Sequence, residues 1–481
     1  MKYILDHQEK PYAKYFEDIS AIPRGSYKEQ AIADYMVQFA ESLNLFYTRD
    51  SANNILIRKP ASAGYEDHEM VLLQGHMDMI WAKRPGSTFD FETQPLEFVI
   101  KDGFLMAKET TCGSDDGVAM AYMMAILSDN TLKHPPLECV FTTMEEPGII
   151  GALQFDFSQI KARKYISMDG NLEGTSLLIA SGGINGNFNK KFKRVAPAPE
   201  QKTVVLSILG LTGGHTSNAQ NKELANALKI MARILHYINK ELSIGLISLD
   251  GGAETVIPTD ATAKISASEQ DIARILEIAE TIVNEAKEEH RHSDPHIALT
   301  TFVSESSEPI IEKPATDAII RLLYLLPVGL INRSLVFENL PITSCALEFV
   351  TTQKDEVVCR YRPQSAIKSK LLDIEEQAKM LGEICGMPYI TSSRYFGHNI
   401  EAGTPFYNVY DQVWFEMTGE HIKPVGAHYG NEIGTFLENV PGLDVILPVA
   451  THYDAHTPNE KLDLASFDRC YECVVKILER V

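Results

Sequence analysis

Met70-Val71-Leu72-Leu73-Gln74-Gly75-His76-Met77-Asp78 decides how this chain folds. The apolar run Met70–Gln74 shows no polar alternation, so it reads as a central strand buried on both faces. Just past its end stand a histidine and an aspartate two residues apart. Both can lean to one side of the chain. His76 can then ligate a metal through one ring nitrogen while Asp78 accepts a hydrogen bond from the other and fixes the tautomer.

Working outward, the first module alternates helix and strand. Ala31, Ile32, Tyr35, Met36, Phe39 and Leu43 recur at helical spacing over 28–43, and Asn54-Ile55-Leu56-Ile57-Arg58 reads as a strand after the turn formers Asp50-Ser51-Ala52-Asn53. Thr110-Thr111-Cys112-Gly113-Ser114-Asp115-Asp116-Gly117 opens the apolar helix Val118–Leu127. A carboxylate is electrostatically at home at a helix entrance, and Asp115 there could bridge two metals, which in paired sites lie about 3.5–4 Å apart. Glu138-Cys139-Val140-Phe141-Thr142-Thr143 is the next strand, and it runs into Met144-Glu145-Glu146-Pro147-Gly148. Adjacent side chains on extended backbone point to opposite sides, so one carboxylate can bind a metal while the other stays free. Metal-assisted hydrolysis needs that division: the cation activates water and polarises a carbonyl, and a free carboxylate moves the proton. Lys164-Tyr165-Ile166-Ser167-Met168 is a further strand, closed by Asp169-Gly170. His76, the Glu145/Glu146 pair and Asp169 thus all follow strands, and in open α/β sheets ligand sites lie outside the carboxyl ends of strands. Convergence of these residues is the expectation.

Composition narrows the function classes. At 481 residues the chain exceeds what one core usually serves, so roughly two or three domains are expected. A hydrophobic content of 44% with 23% charged residues is that of a globular protein. The net charge of -21 argues against nucleic acid, whose phosphates demand clustered Lys and Arg. No apolar run approaches the roughly 18 residues of a membrane span, and Met1-Lys2-Tyr3-Ile4-Leu5-Asp6 carries no apolar leader core. An odd count of 7 cysteines suits a reducing compartment, so a cytoplasmic location without membrane partners is expected. The pair Cys470 and Cys473, lone on a terminal helix, reads as packing.

Beyond Ser181-Gly182-Gly183 the pattern changes to strands such as Thr203–Leu209 and long amphipathic helices near 223–242 and 272–288. Residues 187–388 therefore read as an inserted α+β domain, with 1–186 and 389–481 forming the two parts of one catalytic domain. The insert carries the loop Gly213-Gly214-His215-Thr216-Ser217-Asn218, whose glycines present a histidine. His290, His292 and His296 lie in a polar loop and read as surface. After the insert, His428 lies in Gly426-Ala427-His428-Tyr429-Gly430-Asn431-Glu432. The strand Val445–Val449 precedes His456, in Asp454-Ala455-His456-Thr457-Pro458-Asn459-Glu460, and a final helix spans 464–480.

Taken together, Ile19-Ser20-Ala21-Ile22-Pro23-Arg24-Gly25-Ser26, Asn53-Asn54-Ile55-Leu56-Ile57-Arg58-Lys59-Pro60, Gln74-Gly75-His76-Met77-Asp78-Met79, Gly113-Ser114-Asp115-Asp116-Gly117, Glu145-Glu146-Pro147-Gly148, Gly213-Gly214-His215 and His456-Thr457-Pro458-Asn459-Glu460 resemble, nearly end to end, the carnosinase-like co-catalytic zinc exopeptidases. Within them the chain looks most like aminoacyl-histidine (Xaa-His, beta-alanyl-histidine) dipeptidases. The resemblance implies an α/β fold, a catalytic domain with a mixed sheet between helices plus an inserted α+β lid and dimerisation domain. It implies two zinc ions (Zn2+) per subunit, with Co2+ or Mn2+ able to use the same ligands. His76 and Asp169 would hold one, Glu146 and His456 the other, and Asp115 would bridge them. Glu145 would be general base and then acid toward a water between the metals, and Asp78 would orient His76. His215 would steady the oxyanion, across the interface of a homodimer in related enzymes. His428, Gly430 and Glu432 match a stretch associated with the substrate's carboxylate end. A cis peptide after Asp115 is also implied.

The chain departs from the family pattern at Asp116, Met144, Tyr429, Asn431, Ile433 and Ser344-Cys345-Ala346-Leu347, none of them a metal ligand or the base. The expected activity is metal-dependent hydrolysis of short peptides, Xaa-His dipeptides first. A broader cytosolic dipeptidase, a tripeptide aminopeptidase or an N-acyl amino acid deacylase would use the same centre, and a catalytically silent peptide-binding protein is the non-enzymatic alternative.

Overall fold

A computed structural model describes residues 3–5, 9–306 and 308–481; Met1, Lys2 and Asp6 of the opening stretch read above lie outside the described residues. The chain forms two compact units, one of residues 1–179, 398–426 and 431–481, the other of residues 180–397 and 427–430.

The first unit is built around a six-stranded mixed sheet in the order Phe46–Arg49, Ile55–Lys59, Leu137–Thr142, Val71–His76, Lys164–Ser167, Asp444–Ile446. Val71–His76 is buried at every position, as its unbroken apolar run requires. It runs parallel to both neighbours, with His76 opposite Thr142 and Gln74 opposite Ser167. Parallel pairing brings three carboxyl ends to one edge of the sheet, where the chain delivers His76, Glu145 and Asp169. The expected strand Val445–Val449 is shorter, Asp444–Ile446, and stops before Pro448, which has no N–H to pair.

The helix Ser114–Ser128 packs on this sheet and is buried without a break from Asp116 to Leu127, which is why its sequence is apolar all round. Its last turn is closed from below by Lys59, whose Nζ donates to the carbonyls of Ile126 at 2.8 Å and Asp129 at 2.6 Å. Close approach to the central strand depends on Gly75, where a Cβ would meet Ala119 Cβ at 2.4 Å and Asp116 Oδ2 at 2.5 Å. Gly75→Ala is therefore expected to cost ~1–3 kcal/mol by overpacking. A lowered denaturant midpoint would show it, and an unchanged one would mean the helix can stand off freely.

The second unit holds a nine-stranded sheet ordered Ala298–Ser304, Lys202–Leu209, Ala261–Ala267, Gly245–Gly252, Pro341–Thr352, Glu356–Ser365, Gly182–Lys191, Tyr389–Tyr395, with Gly329–Arg333 also paired to Pro341–Thr352. Two βαββαβ runs account for it. One comprises 202–209, helix Ala227–Glu241, 245–252, 261–267, helix Glu269–Glu289 and 298–304. The other comprises 182–191, helix Lys313–Leu325, 341–352, 356–365, helix Lys368–Cys385 and 389–395. Each run has its strands in the spatial order 4-1-3-2, the arrangement of a split βαβ unit. The first run is inserted after the first strand of the second. They join edge to edge through their second strands, Gly251 opposite Val350 and Gly252 opposite Phe349. All four helices feed one core, which includes Leu228, Met231, Ile275, Ile282, Ile319, Leu323, Leu371 and Ile374. The two runs thus repeat one topology within the unit.

Cys470 and Cys473 are buried on the helix Leu464–Leu478, with the Cys470 thiol 2.8 Å from the Val449 carbonyl, a packing role as read. Among the described residues no helix is long and apolar enough to cross a membrane.

Candidate metal centre

Four of the residues singled out in the sequence meet directly at the carboxyl edge of the six-stranded sheet. His76 Nε2 lies 3.1 Å from Asp115 Oδ1, and His456 Nε2 lies 3.3 Å from Asp115 Oδ2, so the Asp115 carboxylate turns one oxygen to each imidazole. His456 Nε2 is also 3.0 Å from Glu146 Oε1. Donor atoms of His76, Asp115 and Glu146 all fall within 4.8 Å of one another. Glu146 Oε1 is nevertheless buried without an aligned hydrogen-bond donor.

Asp115 and Asp116 have non-helical backbone angles, and the peptide between them is cis. The Asp115 carboxylate thus stands ahead of the regular helix turns. The strand that His456 follows is not the run Val445–Val449 named from the sequence. His456 sits at φ 65° in the turn between His452–Tyr453 and Lys461–Asp463, two short paired strands of a separate four-stranded sheet. The alternation argument for Glu145 and Glu146 also fails. The strand ends at Thr142, Met144 turns at φ 49°, and Glu145 begins a tight turn in which its carbonyl accepts from the N–H groups of Gly148 and Ile149. What orders the pair is Asp78, whose carboxylate accepts the N–H of Glu145 at 2.9 Å and of Glu146 at 3.3 Å, and the Ser26 hydroxyl at 2.8 Å. Asp78 also reaches His76, whose Nδ1 is 3.0 Å from its carbonyl oxygen and 3.4 Å from its Oδ1.

The charge balance of this cluster is lopsided. Burial pushes the Asp169 carboxyl up, and the Asp115 charge adds to it, to about 7. Burial raises Glu145 well above the usual carboxylate range; His76 opposes this, while Asp169, Glu146 and Glu432 reinforce it. Burial alone would raise Asp115 too, but hydrogen bonds from His456 and His76 hold it well below its ordinary value. Burial would lower His456, yet Asp115 and Glu146 drive it up to about 10. Carboxylates outnumber the imidazoles that face them. Imidazole nitrogens and carboxylate oxygens at this spacing are the donor set of a divalent transition metal, and the residues fit one.

The remaining candidates lie elsewhere in the fold. Glu432 is buried in the first unit, where its Oε2 accepts from Thr142 Oγ1 at 2.6 Å and from the Gln74 amide, and burial pushes its carboxyl up to about 8. His428 belongs to the second unit, with Nδ1 2.7 Å from Ser181 Oγ and Nε2 2.7 Å from Ser344 Oγ, and burial draws it down to about 4. Gly430, also in that unit, lies against Tyr395, whose ring a Cβ would meet at 2.3 Å. His215 is exposed beside the Gly213–Gly214 turn, and its Nδ1 accepts the Ser217 N–H at 3.1 Å. His292 and His296 are exposed, as read. The sequence reading missed the supports of the Glu145 turn: Glu29 accepts the Met144 N–H at 2.9 Å and Asn54 accepts the Thr143 N–H at 3.0 Å. The asparagine stood in a quoted strand, but nothing in its spacing pointed to a loop so far along the chain.

An α/β unit whose parallel strands end in a partly buried carboxylate and imidazole cluster, joined to an α+β unit of repeated topology, has the make-up of a metallopeptidase. Residues 72–480 match the profile of peptidase family M20/M25/M40, and the chain belongs to that family. It is 28% identical over 473 residues to the cytosol non-specific dipeptidase of Escherichia coli (strain K12), covering 98% of each chain. Its fold is similar to that of aminoacylhistidine dipeptidase from Vibrio alginolyticus, with a TM-score of 0.85 and 26% identity over 98% of this chain and 96% of that one. Human carnosine dipeptidase 1 shares the fold at a TM-score of 0.52 and 11% identity, covering 98% of this chain and 97% of that one.

Proposed function

We propose that this chain is a cytoplasmic zinc dipeptidase that works as a homodimer and cleaves Xaa-His dipeptides. The observation that carries the reading is the Asp115 carboxylate facing His76 with one oxygen and His456 with the other, Glu146 beside it. His76 and Asp169 would hold one metal, Glu146 and His456 the second, and Asp115 both. Cobalt or manganese suits the same donors. When bound, the metals supply Lewis acidity that polarises the scissile carbonyl and acidifies water. Glu145 takes the proton of the attacking water and passes it to the leaving amine. Asp78 holds the backbone of the Glu145 turn and the His76 ring in one register.

His215 donates to the developing oxyanion. Because its Nδ1 accepts the Ser217 N–H, a neutral ring carries its proton on Nε2, the donor that this role requires. His215→Ala is expected to lower turnover about 100- to 1,000-fold with metal content unchanged, since one oxyanion donor is typically worth that much. An unaffected rate would remove His215 from the reaction.

The likeness to the Escherichia coli enzyme favours a second reading, hydrolysis of dipeptides without preference for histidine. A panel of beta-alanyl-histidine, glycyl-histidine, alanyl-leucine and leucyl-glycyl-glycine separates the two. Cleavage confined to the histidine peptides supports the narrow reading, and equal cleavage of alanyl-leucine discards it. Cleavage of the tripeptide alone points to a tripeptide aminopeptidase, and of none of the four to an N-acyl amino acid deacylase or a catalytically silent peptide-binding protein.

A further inference from the structure

Arg24 and Glu460 are buried charges, 1% and 2% exposed, and neither has a part in the chemistry above. Arg24 Nη1 donates to the carbonyls of Met77 at 3.1 Å and Asp78 at 3.2 Å, and its Nη2 donates to the Gly113 carbonyl at 2.5 Å. Glu460 Oε2 accepts the N–H groups of Cys112 at 2.7 Å and Gly113 at 3.1 Å, and its Oε1 accepts the Ser114 N–H at 2.8 Å together with the Ser114 hydroxyl. Arg24 therefore ties the His76 strand end to Gly113. Glu460 ties the His456 turn to the same three-residue stretch. The two charges meet on opposite sides of Gly113, one at its carbonyl and one at its N–H, two residues before Asp115.

The glycines of this stretch are shaped to that arrangement. Gly113 has φ 69°, and a Cβ on it would meet Arg24 Nη2 at 2.6 Å; a Cβ on Gly117 would meet the same nitrogen at 2.7 Å. Burying charges is costly, and apolar side chains of similar volume would usually hold loops together as well or better. Apolar contacts are non-directional, however, whereas a guanidinium that donates and a carboxylate that accepts in fixed directions set distances between three backbone segments.

We propose that Arg24 and Glu460 are positioning residues that fix the spacing of His76, Asp115 and His456 and so preorganise the metal site. This rests on the reading of those three residues as ligands. Outer partners that orient metal ligands typically contribute about 10- to 100-fold to affinity.

The test uses the whole 481-residue chain stripped of metal. Zinc affinity is measured by competition with a chromogenic chelator, below the unfolding range of every variant, and the thermal midpoint of the metal-free chain is measured beside it. Glu460→Gln keeps the volume but sets an amide against the row of N–H groups. Gly117→Ala leaves Glu460 in place, and its Cβ, which would stand 2.7 Å from Arg24 Nη2, displaces the guanidinium. Both are expected to weaken zinc binding at least about tenfold and to lower the midpoint of the metal-free chain, Gly117→Ala by the same overpacking argued for Gly75→Ala. Should Glu460→Gln fail to fold, Gly117→Ala alone decides. Unchanged zinc affinity in Gly117→Ala overturns the proposal, whatever happens to the midpoints. If the unsubstituted chain binds no zinc, the ligand reading itself has failed instead.

Discussion

Glu145→Gln is expected to lower turnover by about 100- to 10,000-fold, the usual worth of a positioned general acid and base, while metal binding stays intact. Gln keeps the shape of the side chain and its place in the turn, because Asp78 holds that turn through the backbone N–H groups of Glu145 and Glu146 rather than through the side chain. What is lost is the ability to take a proton from water and return it to the amine. The surroundings of Glu145 suit that task. Burial and the neighbouring acids Asp169, Glu146 and Glu432 favour its protonated form, with His76 opposing them. Metal content by mass spectrometry together with the steady-state rate reads the result, and a fully active variant would remove Glu145 from the mechanism.

Asp115→Ala should be the more damaging to the site itself. The two oxygens of Asp115 each face a different imidazole, at 3.1 Å for His76 and 3.3 Å for His456, so the variant deprives both proposed metal positions of a ligand at once. It also removes the partner that opposes desolvation of both histidines. Lewis acidity is worth several kcal/mol of transition-state stabilisation, which is on the order of 1,000-fold or more in rate. Turnover should therefore fall to background and bound zinc drop below two per chain. Retention of both metals with normal turnover would show that Asp115 does not bridge them.

How far the sequence could be read depends on the kind of signal each element leaves. Val71–His76, Leu137–Thr142 and Lys164–Ser167 are buried through nearly their whole length, so their apolar runs stood out and carried His76, the Glu145 turn and Asp169 with them. Asp115 was legible because the apolar helix after it has a clear start. The geometry of Glu145 and Glu146 was not, since the chain leaves extended backbone at Met144, and a residue at φ 49° carries no mark in a pattern of hydrophobicity. The turn that presents His456 was missed for the same reason. Arg24 and Glu460 sat inside quoted motifs without a role, because their partners lie far along the chain: the Gly113 carbonyl is 89 residues from Arg24, and the Cys112 N–H is 348 from Glu460. The repeated topology in the second unit left no fixed period, since one run is nested inside the other and Gly182–Lys191 pairs with Glu356–Ser365 across the whole insert.

The proposed two-metal centre is tested most directly by zinc titration of the stripped chain. Bound zinc per chain and hydrolysis of glycyl-histidine are followed in the same samples. The prediction is no turnover without metal and a rate that rises with zinc and levels at two ions per chain. Turnover that persists in the stripped chain, or that is complete with one ion bound, would contradict it.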